Sequence, residues 1–349
     1  MPGGSRRILQ TGSEVRVDNS RHYPALMERS QKVDFLVVGS PRSGTTLVQR
    51  LACEIPGVAM PPETHFFPEV MGELVESGAF PLAEPDVRRL LEGYLSVPAN
   101  TGMNLDVDAV VGALGGTCRS PMQLFTAIVV QLAGTGEIYG EKTPGHLRWW
   151  RPISKADPSV RFIVVVRDPR AVVSSNLAAP WSVAPWAQDW ADQRHLLFAY
   201  RWLREEALAW HLARTLGDGV LTLRYEDIVA GPDAARSRIA RFLGRSPTAP
   251  PERAPESIVM PWESWKKQAL GPIGDDRSAG WRDDGLLTPP AAEEVAALCM
   301  VGMARRHYRH VPVPATAPAL ARITRLRTRL RGLRGSEIGR QRYVESHVL

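Results

Sequence analysis

Gly39-Ser40-Pro41-Arg42-Ser43-Gly44-Thr45-Thr46 places two glycines with four residues between them, at the junction of an apolar run and a helical pattern. That is the spacing of a loop that wraps a phosphate. Glycines at both ends let the backbone turn tightly and approach an anion, and the free N–H groups of the helix start point at that anion with the dipole behind them. Arg42, Thr45 and Thr46 add side-chain donors. The loop has no lysine, which ATP and GTP phosphoryl-transfer loops aim at the terminal phosphates, and no apolar run ends in an aspartate suited to hold a metal. An arginine-and-hydroxyl cradle suffices for a less charged group, such as a sulfonate, without a metal.

Arg167 and Ser175 form a second constellation. Arg167 ends the run RFIVVV, and Ser175 stands eight residues on in a helix that Pro169 opens. A cation at the C-terminal edge of a buried strand lies where α/β proteins bind ligands, and the serine can donate from the helix that follows. A surface ion pair for Arg167 and a capping or back-bonding role for Ser175 are the alternatives. Lysine is scarce: Lys32, Lys142, Lys155, Lys266 and Lys267 complete the set. A lysine inside a motif therefore carries extra weight.

These residues need elements to position them. Residues 33–39 (VDFLVVG) read as a buried strand, and the segment from Gly44 to about Glu54 puts Leu47, Val48 and Leu51 on one helical face. A second strand-loop-helix unit starts at Val160, and further strands are expected at 137–141 and 219–224. Residues 187–216 read as a long helix bearing Trp190, Trp202 and Trp210 as core residues. The span 79–135 reads as a helical insertion without strands, beside the site, and the Pro-, Gly- and Trp-rich stretch 245–290 as a long functional loop. The expected fold is α/β, a P-loop-like three-layer arrangement with a central parallel sheet flanked by helices. The expected organisation is an N-terminal arm (1–32), one domain (33–312), and a Pro-rich linker with a basic tail (313–349).

Composition narrows the class further. The net charge of +6 is concentrated in residues 321–349, where eight arginines meet two glutamates, so the rest is near neutral and nucleic acid is not an expected partner. Leu320, Ile323, Leu326, Leu330 and Leu333 recur at helical spacing among those arginines. The segment 320–334 is a basic amphipathic helix candidate, suited to docking on its own domain or to an anionic membrane or acidic partner. Cys53, Cys118 and Cys299 lack disulfide or zinc spacing and read as small buried residues. There is no apolar leader and no run of about 18 apolar residues, which points to a cytoplasmic protein, peripheral to the membrane at most.

On these motifs the chain resembles the sulfotransferase superfamily, in particular the branch with tyrosylprotein and heparan sulfate enzymes and many bacterial members. GSPRSGTTL looks like its 5'-phosphosulfate loop, and Arg167 with Ser175 its 3'-phosphate motif. The resemblance spans roughly residues 33–285 and implies 3'-phosphoadenosine 5'-phosphosulfate as donor, bound by Ser40, Pro41, Arg42, Ser43, Gly44, Thr45 and Thr46 together with Arg167 and Ser175. Pro62-Glu63-Thr64-His65-Phe66-Phe67 resembles the segment that carries the catalytic glutamate of that branch. A carboxylate in reach of an acceptor hydroxyl would take its proton as the O–S bond forms. His65 is the rival base, because small-molecule members use a histidine, although their motif sits differently. Glu141-Lys142-Thr143-Pro144 resembles the family's EKTP segment, with Lys142 placed to stabilise charge on the departing nucleotide. Arg224-Tyr225-Glu226-Asp227 resembles its RYEDL segment and brings Tyr225 to the nucleotide, a core tyrosine being the alternative. Arg277-Ser278-Ala279-Gly280-Trp281-Arg282 resembles the late S-x-G-x-W-R segment, one residue shorter than usual, and nominates Ser278, Trp281 and Arg282 as donor contacts.

The expected reaction is a single in-line displacement in which Arg42, Lys142 and the loop amides hold the sulfonate, with no metal. A P-loop kinase or hydrolase, and a non-catalytic anion-binding protein associated with membranes, are the competing classes. The expected acceptor is a small molecule, a glycan or a lipid-like compound, offering a hydroxyl or an amine.

Overall fold

The structure, a computed structural model, describes residues 31–67, 80–179, 193–252, 254–274 and 280–308. The arm before residue 31, Trp190, Ser278 and the basic tail at 320–334 lie outside the described residues. The chain divides into Met1–Gln31 and Lys32–Leu349, and every element below belongs to the second unit.

Five parallel strands make the central sheet, in the order β2, β5, β1, β6, β7. β1 (Val33–Gly39) and β6 (Arg161–Val166) occupy its middle, as continuous β-branched and apolar runs must when both faces are covered. β5 (Ile138–Lys142) lies on one side, β7 (Val220–Arg224) on the other, and the two-residue β2 (Val58–Ala59) ends the β5 side. Side chains alternate across the sheet. Leu36, Val38, Phe162 and Val164 enter one core, while Phe35, Val37, Ile163 and Val165 enter the other. Gly140 is required beside this packing, because a Cβ there would stand 2.2 Å from the Phe35 ring.

Helices cover both faces. They are α1 (Thr45–Cys53), α2 (Glu84–Ser96), α3 (Val107–Ala113), α4 (Pro121–Ala133), α5 (Trp150–Ala156), α6 (Pro169–Leu177) and α7 (Arg194–Leu216), followed by α8 (Tyr225–Ala230), α9 (Pro232–Phe242) and α10 (Pro289–Arg305). Residues of α1, α8 and α9 share the core of Phe35 and Val37. Residues of α2 to α5 and part of α7 share that of Leu36 and Val38, and α6, α7 and α10 form a third cluster around Trp202. The expected three-layer α/β architecture is thus observed, and the four long strands fall where the apolar runs place them.

The insertion corrects one expectation. It holds a small antiparallel pair, β3 (Leu82–Ala83) with β4 (Thr117–Cys118). Two-residue strands are too short for alternation to be read from sequence. The long helix starts at Arg194 in the described residues, and all three cysteines are buried and free, as expected.

Register decides the position of the site. Gly39 pairs with Val165, Val166 with Arg224, and Val37 with Lys142. Four strands therefore end together, and the loops leaving Gly39, Lys142, Val166 and Arg224 converge at the carboxyl edge of the sheet.

Candidate active site

A cavity of about 890 Å³ opens at that edge. Its floor is the loop between β1 and α1. Gly39 sits at φ 152°, and a Cβ there would lie 2.4 Å from the Val165 carbonyl oxygen, so glycine alone lets the loop leave against β6. Gly44 caps α1 at φ 95°, and its missing Cβ would fall 2.4 Å from Tyr225 Cδ2. No side chain caps α1 and its first turn has no acid, which leaves the helix-start N–H groups for an anion. Pro41, Gly44, Thr45 and Thr46 line the cavity beside them.

Arg42 is held at φ 71°, a strained value for a non-glycine residue, of the kind that clusters at ligand-binding sites. Its Nε donates to Ser175 Oγ at 2.9 Å, and its carbonyl accepts from an Arg167 guanidinium nitrogen at 3.0 Å. The two arginine-serine constellations read from sequence are therefore one continuous wall. Arg167 lies over the Tyr225 ring at 4.2 Å, and its carbonyl accepts the Trp202 indole N–H at 3.0 Å. Burial depresses the Arg167 pKa, so this cation gains from an anionic ligand.

Some expected donor contacts lie elsewhere. Ser40 and Ser43 line a narrow recess against Val165, Trp202 and Glu206, behind the loop. The Ser43 N–H is spent on the Ser40 carbonyl at 3.1 Å, so these side chains shape the turn rather than face the cavity. Trp281 lines the cavity beneath Arg170, 4.7 Å from its ring centroid, but Arg282 is exposed on the Trp281 ring and outside the lining. In this region Asp284, which accepts from Ser174, reaches the cavity instead.

The chemistry-bearing cluster lies at the other end of the loop. Lys142, fully buried at the end of β5, donates to Glu63 Oε1 and stands 3.3 Å from Thr46 Oγ1. Lys266 Nζ is 2.6 Å from the same Glu63 oxygen and pairs also with Glu263. His65 Nε2 is 3.3 Å from Glu63 Oε2. Burial pushes the Glu63 carboxyl up, but Lys142, Lys266 and His65 outweigh it and hold the group well below the usual range. Burial lowers Lys142 to about 8 against the pull of Glu63, and lowers the His65 imidazole as well.

Beneath this cluster Glu141 fixes the loop that carries Glu63. Glu141 Oε1 accepts from Thr64 N (3.1 Å), Thr64 Oγ1 (2.9 Å) and Thr143 Oγ1 (2.6 Å), and its Oε2 lies 2.8 Å from His146 Nδ1. His65 N donates to Thr143 Oγ1 at 3.2 Å, Phe67 N to His146 Nε2 at 3.4 Å, and the Tyr94 hydroxyl to the Thr64 carbonyl. Phe66 and Phe67 pack on Phe125 with centroids 5.2 and 4.9 Å away. The aromatic pair after Glu63 is thus an anchor in the core.

Glu63, His65 and Glu263 bring ligand atoms within 4.8 Å of one another, the one such group among the described residues. Lys266 bridges these two carboxylates and Lys142 also holds Glu63, so a divalent cation would meet like charge there. Lys266 and Glu263 are the site residues that sequence reasoning missed. The scarcity of lysine was a usable signal for Lys266, but nothing in its spacing linked it to Glu63.

A model of the sulfotransferase family matches residues 34–249, which include the loop, Glu63, Lys142, Arg167, Ser175 and Tyr225. The chain belongs to the sulfotransferase family. The match ends before Lys266 and Trp281. Among curated relatives, protein-tyrosine sulfotransferase 1 of Danio rerio is 26% identical over 230 residues, 66% of this chain. The matched part spans 58% of that relative's length. Similar solved structures include the sulfotransferase domain of the Synechococcus PCC 7002 olefin synthase, 20% identical with a TM-score of 0.48, covering 84% of this chain and 100% of that one. Another is the sulfotransferase of Alicyclobacillus acidocaldarius, 18% identical with a TM-score of 0.46, covering 78% and 94%. Among the described residues no helix is long and apolar enough to cross a membrane.

Proposed function

We propose that the protein transfers a sulfonate group from 3'-phosphoadenosine 5'-phosphosulfate to a hydroxyl of an acceptor, with Glu63 as the general base. The observation that carries this reading is the meeting of Glu63, Lys142 and Thr46 at the start of α1. Proton acceptor, leaving-group cation and anion loop then share one reaction centre, which anion binding alone does not require. The residues present fit the donor. Uncapped amides at α1 suit the 5'-phosphosulfate, and Arg167 with Ser175 suits the 3'-phosphate. The cavity is near the upper end of the roughly 300–1,000 Å³ typical of small-molecule sites, room for nucleotide and acceptor together.

Glu63 takes the acceptor proton, the acceptor oxygen bonds to sulfur, and the bond from sulfur to the bridging oxygen breaks. The electron pair stays on the departing nucleotide phosphate, where the Lys142 ammonium stabilises it. A neutral His65 donating Nε2–H to Glu63 orients the base. Pro98, Ala99, Trp262 and Trp265 add an apolar wall to the cavity, which favours an acceptor with an aromatic or other apolar body. The name of the zebrafish relative makes a tyrosyl hydroxyl the first acceptor to test.

Calorimetric titration with adenosine 3',5'-bisphosphate, AMP and metal-free ATP tests the donor assignment. The bisphosphate is expected to bind best. Arg167→Ala should weaken it by about 10- to 100-fold, the loss of a charge-assisted phosphate contact, and leave AMP nearly unchanged. Equal affinity for AMP and the bisphosphate would refute the reading, as would ATP turnover that needs magnesium.

A further inference from the structure

Two ammonium groups meet one carboxylate oxygen in this site: Lys142 and Lys266 both engage Glu63 Oε1. One cation already neutralises a carboxylate, and burying a second costs desolvation unless it has its own counter-charge. Lys266 has one. It pairs with Glu263, its backbone N–H donates to the Glu263 carbonyl at 2.8 Å, and Glu263 Oε2 in turn accepts the Met260 N–H at 3.1 Å. Lys266 thus belongs to the short 3-10 helix Ser264–Leu270 and stays tied to that segment. Lys142 is placed differently. It ends β5, and its other partner is Thr46 Oγ1 at the start of α1, on the side where an anion would sit.

On the donor reading of this site, we propose that Lys266 is a positioning residue that keeps Glu63 ionised and aimed while Lys142 turns to the bridging oxygen of the donor. One lysine that serves both ends of the displacement divides its charge between them. An ammonium drawn toward the departing phosphate stabilises the ionised base less than one that faces it alone. The groups facing Glu63 are Lys142 from β5, Lys266 from the 3-10 helix, His65 from its own loop and Arg42 from the phosphate loop, with Glu263 beyond Lys266 and Glu141 beyond His65. His65 is depressed toward its neutral form by burial, and Arg42 is engaged with Ser175. With Lys142 turned away, burial would favour the neutral acid, and Lys266 is the charge that opposes it.

Binding of adenosine 3',5'-bisphosphate at about pH 6.5, in buffers of different ionisation enthalpy, counts the protons taken up. In the wild type Glu63 should contribute none. In Lys266→Met, and in Lys266→Gln as a second neutral variant, donor binding leaves Glu63 with one lysine, shared with the nucleotide phosphate. Up to one additional proton per nucleotide should then be taken up. That extra uptake should vanish in Lys266→Met/Glu63→Gln and be absent in Lys266→Arg, which keeps the charge. In turnover, the acid limb of kcat should move to higher pH in Lys266→Met and return in Lys266→Arg. Equal proton uptake by the wild type and both neutral variants, with nucleotide bound by all, overturns the role of Lys266 and leaves the donor reading standing. A wild type that does not bind the bisphosphate overturns the donor reading, and this proposal with it.

Discussion

Replacing Glu141 by glutamine and by alanine separates two kinds of work done by one buried carboxylate. His146 Nε2 accepts the Phe67 N–H, which puts the ring proton on Nδ1, 2.8 Å from Glu141 Oε2. In Glu141→Gln the side-chain oxygen can still serve Thr64 N, Thr64 Oγ1 and Thr143 Oγ1, but the new NH2 then faces a ring N–H. Flipping the amide would strip those donors of their acceptor, and switching the tautomer would orphan Phe67 N–H. One charge-assisted contact is lost, at about 1.5–3 kcal/mol. Alanine leaves the Thr64 and Thr143 donors buried without an acceptor, each at about 1–3 kcal/mol, so its cost is on the order of 5 kcal/mol. Urea unfolding at neutral pH measures both. Burial pushes the Glu141 carboxyl up, but His146, Thr143 and Thr64 outweigh it and hold it below the usual carboxylate range. A depressed folded-state pKa gives stability that is present above the unfolded value and lost as pH falls through the folded one. The glutamine deficit should therefore close in acid, as pH falls through the depressed pKa of the wild-type carboxyl. Because Thr64 and His65 move with this network, Glu141→Ala should also lose on the order of 10²-fold in turnover. A glutamine deficit under about 0.5 kcal/mol at neutral pH, or one that persists once the carboxyl is protonated, would refute the reasoning.

Gly44→Ala puts a Cβ 2.4 Å from Tyr225 Cδ2 at φ 95°. The backbone alone costs roughly 1–2 kcal/mol, and displacing Tyr225 removes the ring beneath Arg167, so thermal stability and bisphosphate affinity should fall together. Wild-type affinity in this variant would argue against the close packing of loop and ring. Burial holds Lys142 to about 8, so the leaving-group ammonium is lost as pH rises through that value. The donor kcat/KM should bend downward above about pH 8, and Lys142→Arg, whose guanidinium stays charged, should remove that limb while slowing turnover at neutrality. A profile that stays flat to about pH 9.5 would show that Lys142 does not carry the charge the reaction needs.

The phosphate loop, the strand ending in Arg167 and the four long strands were legible in the sequence for a local reason. Glycine spacing, continuous β-branched runs and a cation directly after a strand are short-range patterns, and the backbone conformation they require is short-range too. Glu63 and Lys142 were legible only through resemblance, since neither composition nor spacing says that two residues so far apart in the chain share a proton site. Other features had no sequence signal. A serine in a tight turn can face either way, and here Ser40 and Ser43 face away from the cavity. Glu141 stood in the sequence as the neighbour of Lys142, yet alternation along β5 sends it to the opposite side, where it anchors the Glu63 loop.

The sequence by itself determined which chemistry is present and the edge of the sheet on which it appears, because strand ends and loop glycines are written in consecutive residues. Only the tertiary structure decided which charges meet. Lys266 reaches Glu63 because the segment after α9 folds back against α1, where Arg50 donates to the Ala269 and Gly271 carbonyls, and the free energy of a buried carboxylate depends on whichever cations lie within a few ångströms, whatever their separation along the chain.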